Sequence, residues 1–163
     1  MGQEAPLRLL IVNDDGTDVS LLRDQLSTVR GSPPFRVESV GRLADALKRV
    51  RGRDVDVVLL DLDLPDSTGL DGVDRLCAQA PHMPVVVLTG LRDEETGLRA
   101  VQQGAQDYLV RGRVDGHLID RSLRFALERK RAEHALARLA SVMAGLCYEC
   151  GRKLAGEPPP TSN

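Results

Sequence analysis

Apolar and polar positions follow one another along this chain in blocks that predict strands and helices in turn. Short runs rich in Val, Leu and Ile, bounded by turn residues, are typical of strands buried on both faces of a parallel sheet. Five such runs are Leu7–Val12, Phe35–Val40, Val55–Leu60, Val85–Leu88 and Asp107–Val110. Between them, apolar residues at helical spacing predict helices near Val19–Val29, Leu43–Arg51, Leu70–Ala80 and Glu94–Gln103.

This alternation predicts an α/β fold with helices on both faces of one parallel sheet. Right-handed crossovers leave few strand orders, and the flavodoxin-like order 2-1-3-4-5 is a common one for a doubly wound (βα)5 sheet. In that order the carboxyl ends of the first and third strands are neighbours. We therefore expect a flavodoxin-like fold with its site at these two strand ends.

Acidic residues follow both of these strands. Asp61 comes directly after the third predicted strand, and Asn13 and Asp14 come directly after the first. Carboxylates at neighbouring strand ends could jointly hold a hard divalent cation, which prefers oxygen ligands. The sequence therefore predicts one acidic site that contains Asp14 and Asp61.

A fifth helix is predicted to start near Asp115 and to continue beyond the length that a compact domain needs. Its later apolar residues follow alternating steps of four and three, which indicates a coiled-coil seam: Ala132, Leu136, Leu139, Met143 and Leu146. We expect a domain over residues 1–131, an extended C-terminal helix over 132–150 that dimerises or binds a partner, and a disordered, Pro-rich tail over 151–163.

Composition narrows the function. The chain has 22 basic and 24 acidic residues and a net charge of −2, which argues against a dedicated nucleic-acid-binding protein. No apolar run approaches the roughly 18 residues that would suggest a membrane span. The start of the chain lacks the pattern of a secretion signal, and three cysteines, an odd number, fit a reducing compartment. We expect a cytoplasmic protein that binds neither nucleic acid nor membrane.

Cys147 and Cys150 have the spacing of a zinc-binding pair. One pair supplies only two of the four ligands of a tetrahedral zinc site, and His134 lies too far upstream to complete it. We interpret the two cysteines as unliganded, with a zinc site shared between two chains as the alternative, and their role stays open.

Four motifs, each at the end of its predicted strand, together resemble the receiver domain of bacterial two-component response regulators, from about Leu7 to Arg131. The first is the acidic cluster after the first strand, and the second is Asp-Leu-Asp-Leu-Pro-Asp-Ser-Thr-Gly, which begins at Asp61. The third is Leu-Thr-Gly, which begins at Leu88, and the fourth is Gly-Ala-Gln-Asp-Tyr-Leu-Val-Arg, which begins at Gly104. Each motif is weak alone, but their order along the chain makes the resemblance specific.

The resemblance implies that Asp61 is the phosphoacceptor, a carboxylate nucleophile that takes a phosphoryl group from a sensor histidine kinase or a phosphotransfer protein. It also implies Mg2+ as the cofactor. The ligands would be the carboxylates of Asp14 and Asp61 and the backbone carbonyl of Asp63.

Three further residues have counterparts in the family. Thr89 corresponds to the hydroxyl residue that contacts the phosphoryl group, and Tyr108 to the aromatic rotamer switch. Arg111 stands at the position of the family's lysine and is followed by Gly112 in place of the usual proline. Arginine keeps the positive charge but is planar and longer, so the exchange is not neutral.

A second departure from the family is Asn13, which stands where most relatives have an acidic residue. Its amide could still accept a hydrogen bond from a metal-bound water, but we expect weaker Mg2+ binding with one carboxylate fewer. Asp15 could compensate if its side chain points into the site.

These observations favour a phosphoacceptor signalling domain, not an enzyme, whose output is protein contact or self-association. The alternative is a phosphorylation-independent pseudo-receiver that acts as an interaction module, to which Asn13 and Arg111 point. An enzyme is a third class, because Asp61-Leu62-Asp63 is similar to the two-aspartate motif of haloacid-dehalogenase-type phosphatases. In those phosphatases, however, the motif follows the first strand. The chain could also be part of a larger sensor kinase or cyclase.

Overall fold

Five strands and five helices alternate in the computed structural model, which describes residues 5–155 and the side chains up to residue 146. In chain order they are β1 (Leu7–Val12), α1 (Gly16–Ser27), β2 (Phe35–Val40), α2 (Leu43–Val50), β3 (Val57–Asp61), α3 (Asp71–Gln79), β4 (Val85–Thr89), α4 (Glu94–Gln102), β5 (Asp107–Val110) and α5 (Gly116–Ala155). The strands pair in parallel in the order β2-β1-β3-β4-β5. The predicted flavodoxin-like fold is confirmed.

The central strands fix the register of the sheet because they are buried on both faces. In β1, Leu9 and Ile11 pack into one hydrophobic cluster with α1 and α5, whereas Leu10 and Val12 pack into a second cluster with α2 and α3. Burial of each such side chain contributes about 1.5–3 kcal/mol. A slip of one residue would exchange the two faces, so the strand ends that carry polar residues are held firmly at one edge.

Most elements lie within a residue or so of their predicted bounds, but α1 and β3 begin at least two residues away from their predicted starts, for local reasons. Helix α1 begins earlier than predicted because the carboxylate of Asp15 caps it, accepting hydrogen bonds from the backbone N–H groups of Thr17 and Asp18 at 2.8 and 3.3 Å. Strand β3 begins later than predicted because Asp56 is turned towards β1. Its carboxylate accepts hydrogen bonds from the backbone N–H and the guanidinium of Arg8, at 2.7 and 3.0 Å.

The contacts divide the chain into two compact units, with the division between Lys130 and Arg131. In the first unit, the early part of α5 packs on the sheet through Ile119, Leu123 and Leu127. In the second unit, the apolar side chains of α5 are exposed up to residue 146. Our domain bounds stay predictions, and residues 156–163 of the expected disordered tail lie outside the described residues.

Neither Cys147 nor Cys150 belongs to the part of the chain whose side chains are described. The zinc alternative is therefore untested. None of the helices within residues 5–155 is long and apolar enough to cross a membrane.

Candidate functional site

The polar strand ends come together at the carboxyl edge of β1, β3 and β4. Val12 pairs with Leu60, so Asn13 and Asp61 follow side by side, and both are only 4% exposed. On the other side of β3, Asp61 pairs with Leu88, which places the buried Thr89 next along the same edge. The site is therefore built by the register of the sheet.

Asp61 is a buried carboxylate with one contact to each of its oxygens. Oδ1 accepts a hydrogen bond from the backbone N–H of Asp63 at 3.0 Å, and Oδ2 is paired with the Nη2 group of Arg111. Burial raises the pKa of Asp61 above its ordinary value, while the Asp63 N–H and the Arg111 charge act in the opposite direction. The carboxylate thus depends on Arg111 for compensation of its charge.

Arg111 also contacts Asp18, which the sequence analysis did not identify. Its Nε atom lies 3.0 Å from Oδ2 of Asp18, although neither atom makes a hydrogen bond of good geometry to any described residue. The contact is therefore an ion pair without a directed hydrogen bond. The available signal was an acidic residue in the first turn of α1, but acids are common there because they interact favourably with the helix dipole.

The amide of Asn13 has a defined orientation. Its Oδ1 atom accepts a hydrogen bond from the backbone N–H of Asp15 at 2.7 Å. Its Nδ2 group is buried and has no hydrogen-bond partner among the described residues. Asp15 does not replace the missing acid, because its own carboxylate caps α1 and these hydrogen bonds hold its pKa below the ordinary value.

The residues predicted to bind Mg2+ form a suitable donor set. Asp14 is exposed at the end of β1, beside the edge that carries Asp61, and Asp63 follows two residues after Asp61. Two carboxylates and one backbone carbonyl are hard oxygen donors, and Mg2+ commonly uses one or two carboxylates while it keeps several waters. Within the described part of the chain, no group of three or more His, Cys, Asp or Glu side chains is placed to hold a metal ion.

The loop after Asp61 is tied to the neighbouring helix by Asp66. The carboxylate of Asp66 accepts hydrogen bonds from the backbone N–H groups of Leu43 and Ala44 at 2.8 and 3.0 Å, and so caps α2. These bonds hold the pKa of Asp66 below its ordinary value. The loop that contains Asp63 is thereby anchored at the base of the site.

Thr89 and Tyr108 lie on neighbouring strands. The Thr89 hydroxyl donates to the backbone carbonyl of Leu109 at 3.4 Å, a long bond that can be exchanged for a better acceptor. The ring of Tyr108 is half-buried and lies directly on Gly97 of α4, where an added Cβ atom would be 2.5 Å from Cδ2 of the ring. The glycine at position 97 therefore makes room for the ring.

We predict that Gly97→Ala displaces the Tyr108 ring and lowers stability by about 1 kcal/mol, because overpacking outweighs the gain of about 1 kcal/mol in helix propensity. Urea unfolding measures the change. In a Tyr108→Ala background the same substitution should instead stabilise the protein, because the clash is gone. Equal effects in the two backgrounds would contradict the explanation.

The sheet has five strands in this order, with a buried aspartate at the end of β3, a hydroxyl residue at the end of β4 and a cation after β5. Together these features define a receiver-type signalling domain. Residues 9–122 match the response regulator receiver domain family, and the chain belongs to that family. It is thus a domain of two-component signal transduction.

Individual relatives agree with this assignment. The chain is 32% identical over 101 residues to the regulatory protein LuxO of Vibrio cholerae, and the aligned region covers 62% of this chain and 21% of LuxO. It is 36% identical over 110 residues to a protein-glutamate methylesterase/protein-glutamine glutaminase of Anaeromyxobacter dehalogenans, covering 66% of this chain and 31% of that protein. The chain therefore spans less than a third of the length of either relative.

The fold also agrees with solved structures. The crystal structure of the receiver domain of NtrX from Brucella abortus aligns with a TM-score of 0.62 and 29% sequence identity, over 74% of this chain and 98% of that domain. The similarity therefore covers essentially the whole of a receiver domain.

Proposed function

We propose that this chain is the phosphoacceptor of a two-component relay, in which Asp61 takes a phosphoryl group from a histidine kinase or a phosphotransfer protein. The observation that carries the proposal is the buried Asp61 carboxylate at the switch point of the sheet, held between the Asp63 N–H and Arg111. The proposal places this reaction in the cytoplasm, because the odd number of cysteines suits a reducing compartment.

The residues of the site match the demands of the reaction. An oxygen of Asp61 attacks phosphorus, the bond from phosphorus to the donor's imidazole nitrogen breaks, and its electron pair stays with the imidazole. Catalysis of such a transfer is mainly positioning and charge compensation. Two unit charges of like sign about 4 Å apart repel by about 4 kcal/mol at an effective dielectric constant of about 20, so an uncompensated phosphoryl group would approach Asp61 against a substantial barrier.

Each neighbour of Asp61 has a role in that compensation. Arg111 moves its Nη2 contact from the carboxylate to the incoming phosphoryl oxygens, and Thr89 exchanges its weak bond to Leu109 for a phosphoryl oxygen. The carboxylates of Asp14 and Asp61 and the backbone carbonyl of Asp63 would hold Mg2+, which would supply the remaining positive charge. Transfer is therefore proposed to require the metal.

A pseudo-receiver is the second candidate, because Asn13 removes a carboxylate and Arg111 replaces the family's lysine. In that case the domain would bind its partner with or without phosphate. Labelling with acetyl phosphate and Mg2+, read as the intact mass of the protein, separates the two candidates.

We predict that Asn13→Asp tightens Mg2+ binding about tenfold, because a carboxylate at this position would orient and attract metal-bound water better than an amide does. A Mg2+ titration followed by NMR measures the affinity. Asp15→Asn is the matched control, since asparagine is also a good helix cap and the side chain at this position faces the backbone of α1. No change in Asn13→Asp would mean that another group already fills this role.

For the output, we propose contact through the exposed apolar side chains of α5 in the second unit. Five of them are 57–67% exposed: Leu136, Leu139, Val142, Met143 and Leu146. Exposed apolar stripes of this kind mark contact surfaces. A second copy of this chain is the proposed partner.

A further inference from the structure

Arg111 is shared between two carboxylates that come from different parts of the fold. Its Nη2 group pairs with Asp61 at the end of β3, and its Nε atom lies 3.0 Å from Asp18 in the first turn of α1. The Asp18 side chain is 23% exposed and that of Arg111 37%, so the ion pair is only partly screened by solvent.

This arrangement uses a property that arginine has and lysine lacks. A guanidinium carries donors on separate nitrogens in a rigid plane, so it can hold two anions at separate, fixed positions, whereas all three donors of a lysine lie on one compact ammonium. The chain has an amide at Asn13 but an acid at Asp18, so a negative charge faces Arg111 from α1. Asp18 and Arg111 thus form an ion pair that phosphoryl transfer to Asp61 does not require.

We propose that Asp18 is a positioning residue that competes with the phosphoryl group for Arg111 and thereby shortens the lifetime of the acyl phosphate on Asp61. The inference rests on the proposed phosphoacceptor function. As long as Asp18 holds the Nε side of the guanidinium, Arg111 compensates the charge of the phosphoryl oxygens less completely. The negative charge of Asp18 also lies close to the Arg111 guanidinium, which must hold the anionic phosphoryl group.

The step that this competition affects is hydrolysis of the acyl phosphate. Water adds to phosphorus, the bond between phosphorus and the Asp61 oxygen breaks, and its electron pair returns to the carboxylate. The protons of the water leave with inorganic phosphate and solvent. In a loose, metaphosphate-like transition state the phosphoryl oxygens carry less negative charge than they do in the acyl phosphate. Weaker charge compensation by Arg111 therefore destabilises the acyl phosphate more than the transition state, and hydrolysis becomes faster.

The test is the half-life of the labelled full-length protein after removal of acetyl phosphate. Asp18→Asn keeps an oxygen near Nε but removes the charge, and we expect it to lengthen the half-life about twofold to fivefold, the range that a partly exposed ion pair provides. Asp24→Asn, an exposed position further along α1, is the matched control and should leave the half-life unchanged. In an Arg111→Ala background, Asp18→Asn should have no effect.

Two outcomes of the half-life measurement overturn the inference. An unchanged or shorter half-life in Asp18→Asn would show that Asp18 does not compete for Arg111. An equal lengthening in the Arg111→Ala background would show that the charge of Asp18 acts on the acyl phosphate directly and not through Arg111. If the wild-type protein does not label at all, the proposed function fails. Competition between Asp18 and phosphate for Arg111 is then tested by titration with inorganic phosphate, followed on the NMR signal of the Arg111 Nε–H group. Tighter binding in Asp18→Asn than in Asp24→Asn supports the competition, and equal binding refutes it.

Discussion

Asp61→Asn is expected to abolish phosphoryl labelling completely, whereas the wild-type protein gains one phosphoryl group in a reaction that needs Mg2+. An asparagine keeps the size of the side chain and its hydrogen bond from the Asp63 N–H, but it lacks the nucleophilic carboxylate. The measurement is the intact mass after incubation with acetyl phosphate, with and without Mg2+. The effect is all-or-none because no other described side chain combines the burial, the Arg111 contact and the strand-end position of Asp61.

The control for this experiment is Asp74→Asn, which makes the same change at an exposed position of α3 and should label like the wild type. Circular dichroism of both variants establishes that they are folded. Labelling that persists at another residue in Asp61→Asn would show that the acceptor is assigned wrongly. A wild-type protein that never labels would favour the pseudo-receiver.

The fold was predictable because its central strands leave no ambiguity. All five residues of β3 and of β4 are buried, and the first four of each form a continuous apolar run, which is typical of a strand buried on both faces. The errors lie at element ends, where side-chain contacts decide. Asp56 turns towards Arg8 instead of joining β3, and Asp15 starts α1 one turn early.

From the sequence, only those site residues could be predicted that lie at or just beyond the end of a strand. The strand register accounts for Asn13, Asp61 and Thr89, since each stands at or just beyond the end of a paired strand. Asp18 could not be found this way, because its contact depends on how α1 lies against the long side chain of Arg111. Gly97 was missed for a similar reason, since only the position of the Tyr108 ring shows why a side chain is excluded there.

The second large effect concerns the oligomeric state: the full-length chain is expected to dimerise through residues beyond about Ala132, and truncation after Arg131 should leave a monomer. Within residues 5–146, every buried apolar side chain precedes Lys130, so the truncated domain keeps its core and is expected to remain folded and to label. The apolar side chains that the truncation removes are exposed up to residue 146, so they do not contribute to the core. Light scattering at several concentrations measures the change.

The length of this seam determines how strong the dimer can be. The seam covers only about two heptads, which is too short for a stable coiled coil alone, so we expect a weak dimer that the receiver surface supports. Its residues are Ala132, Leu136, Leu139, Met143 and Leu146. Leu139→Glu with Met143→Glu keeps good helix formers but places charges in the seam, and should abolish the dimer. Ser141→Glu, on the opposite side of the heptad, should not. A full-length chain that stays monomeric at high concentration, labelled or unlabelled, would contradict self-association and would favour a different partner for this helix.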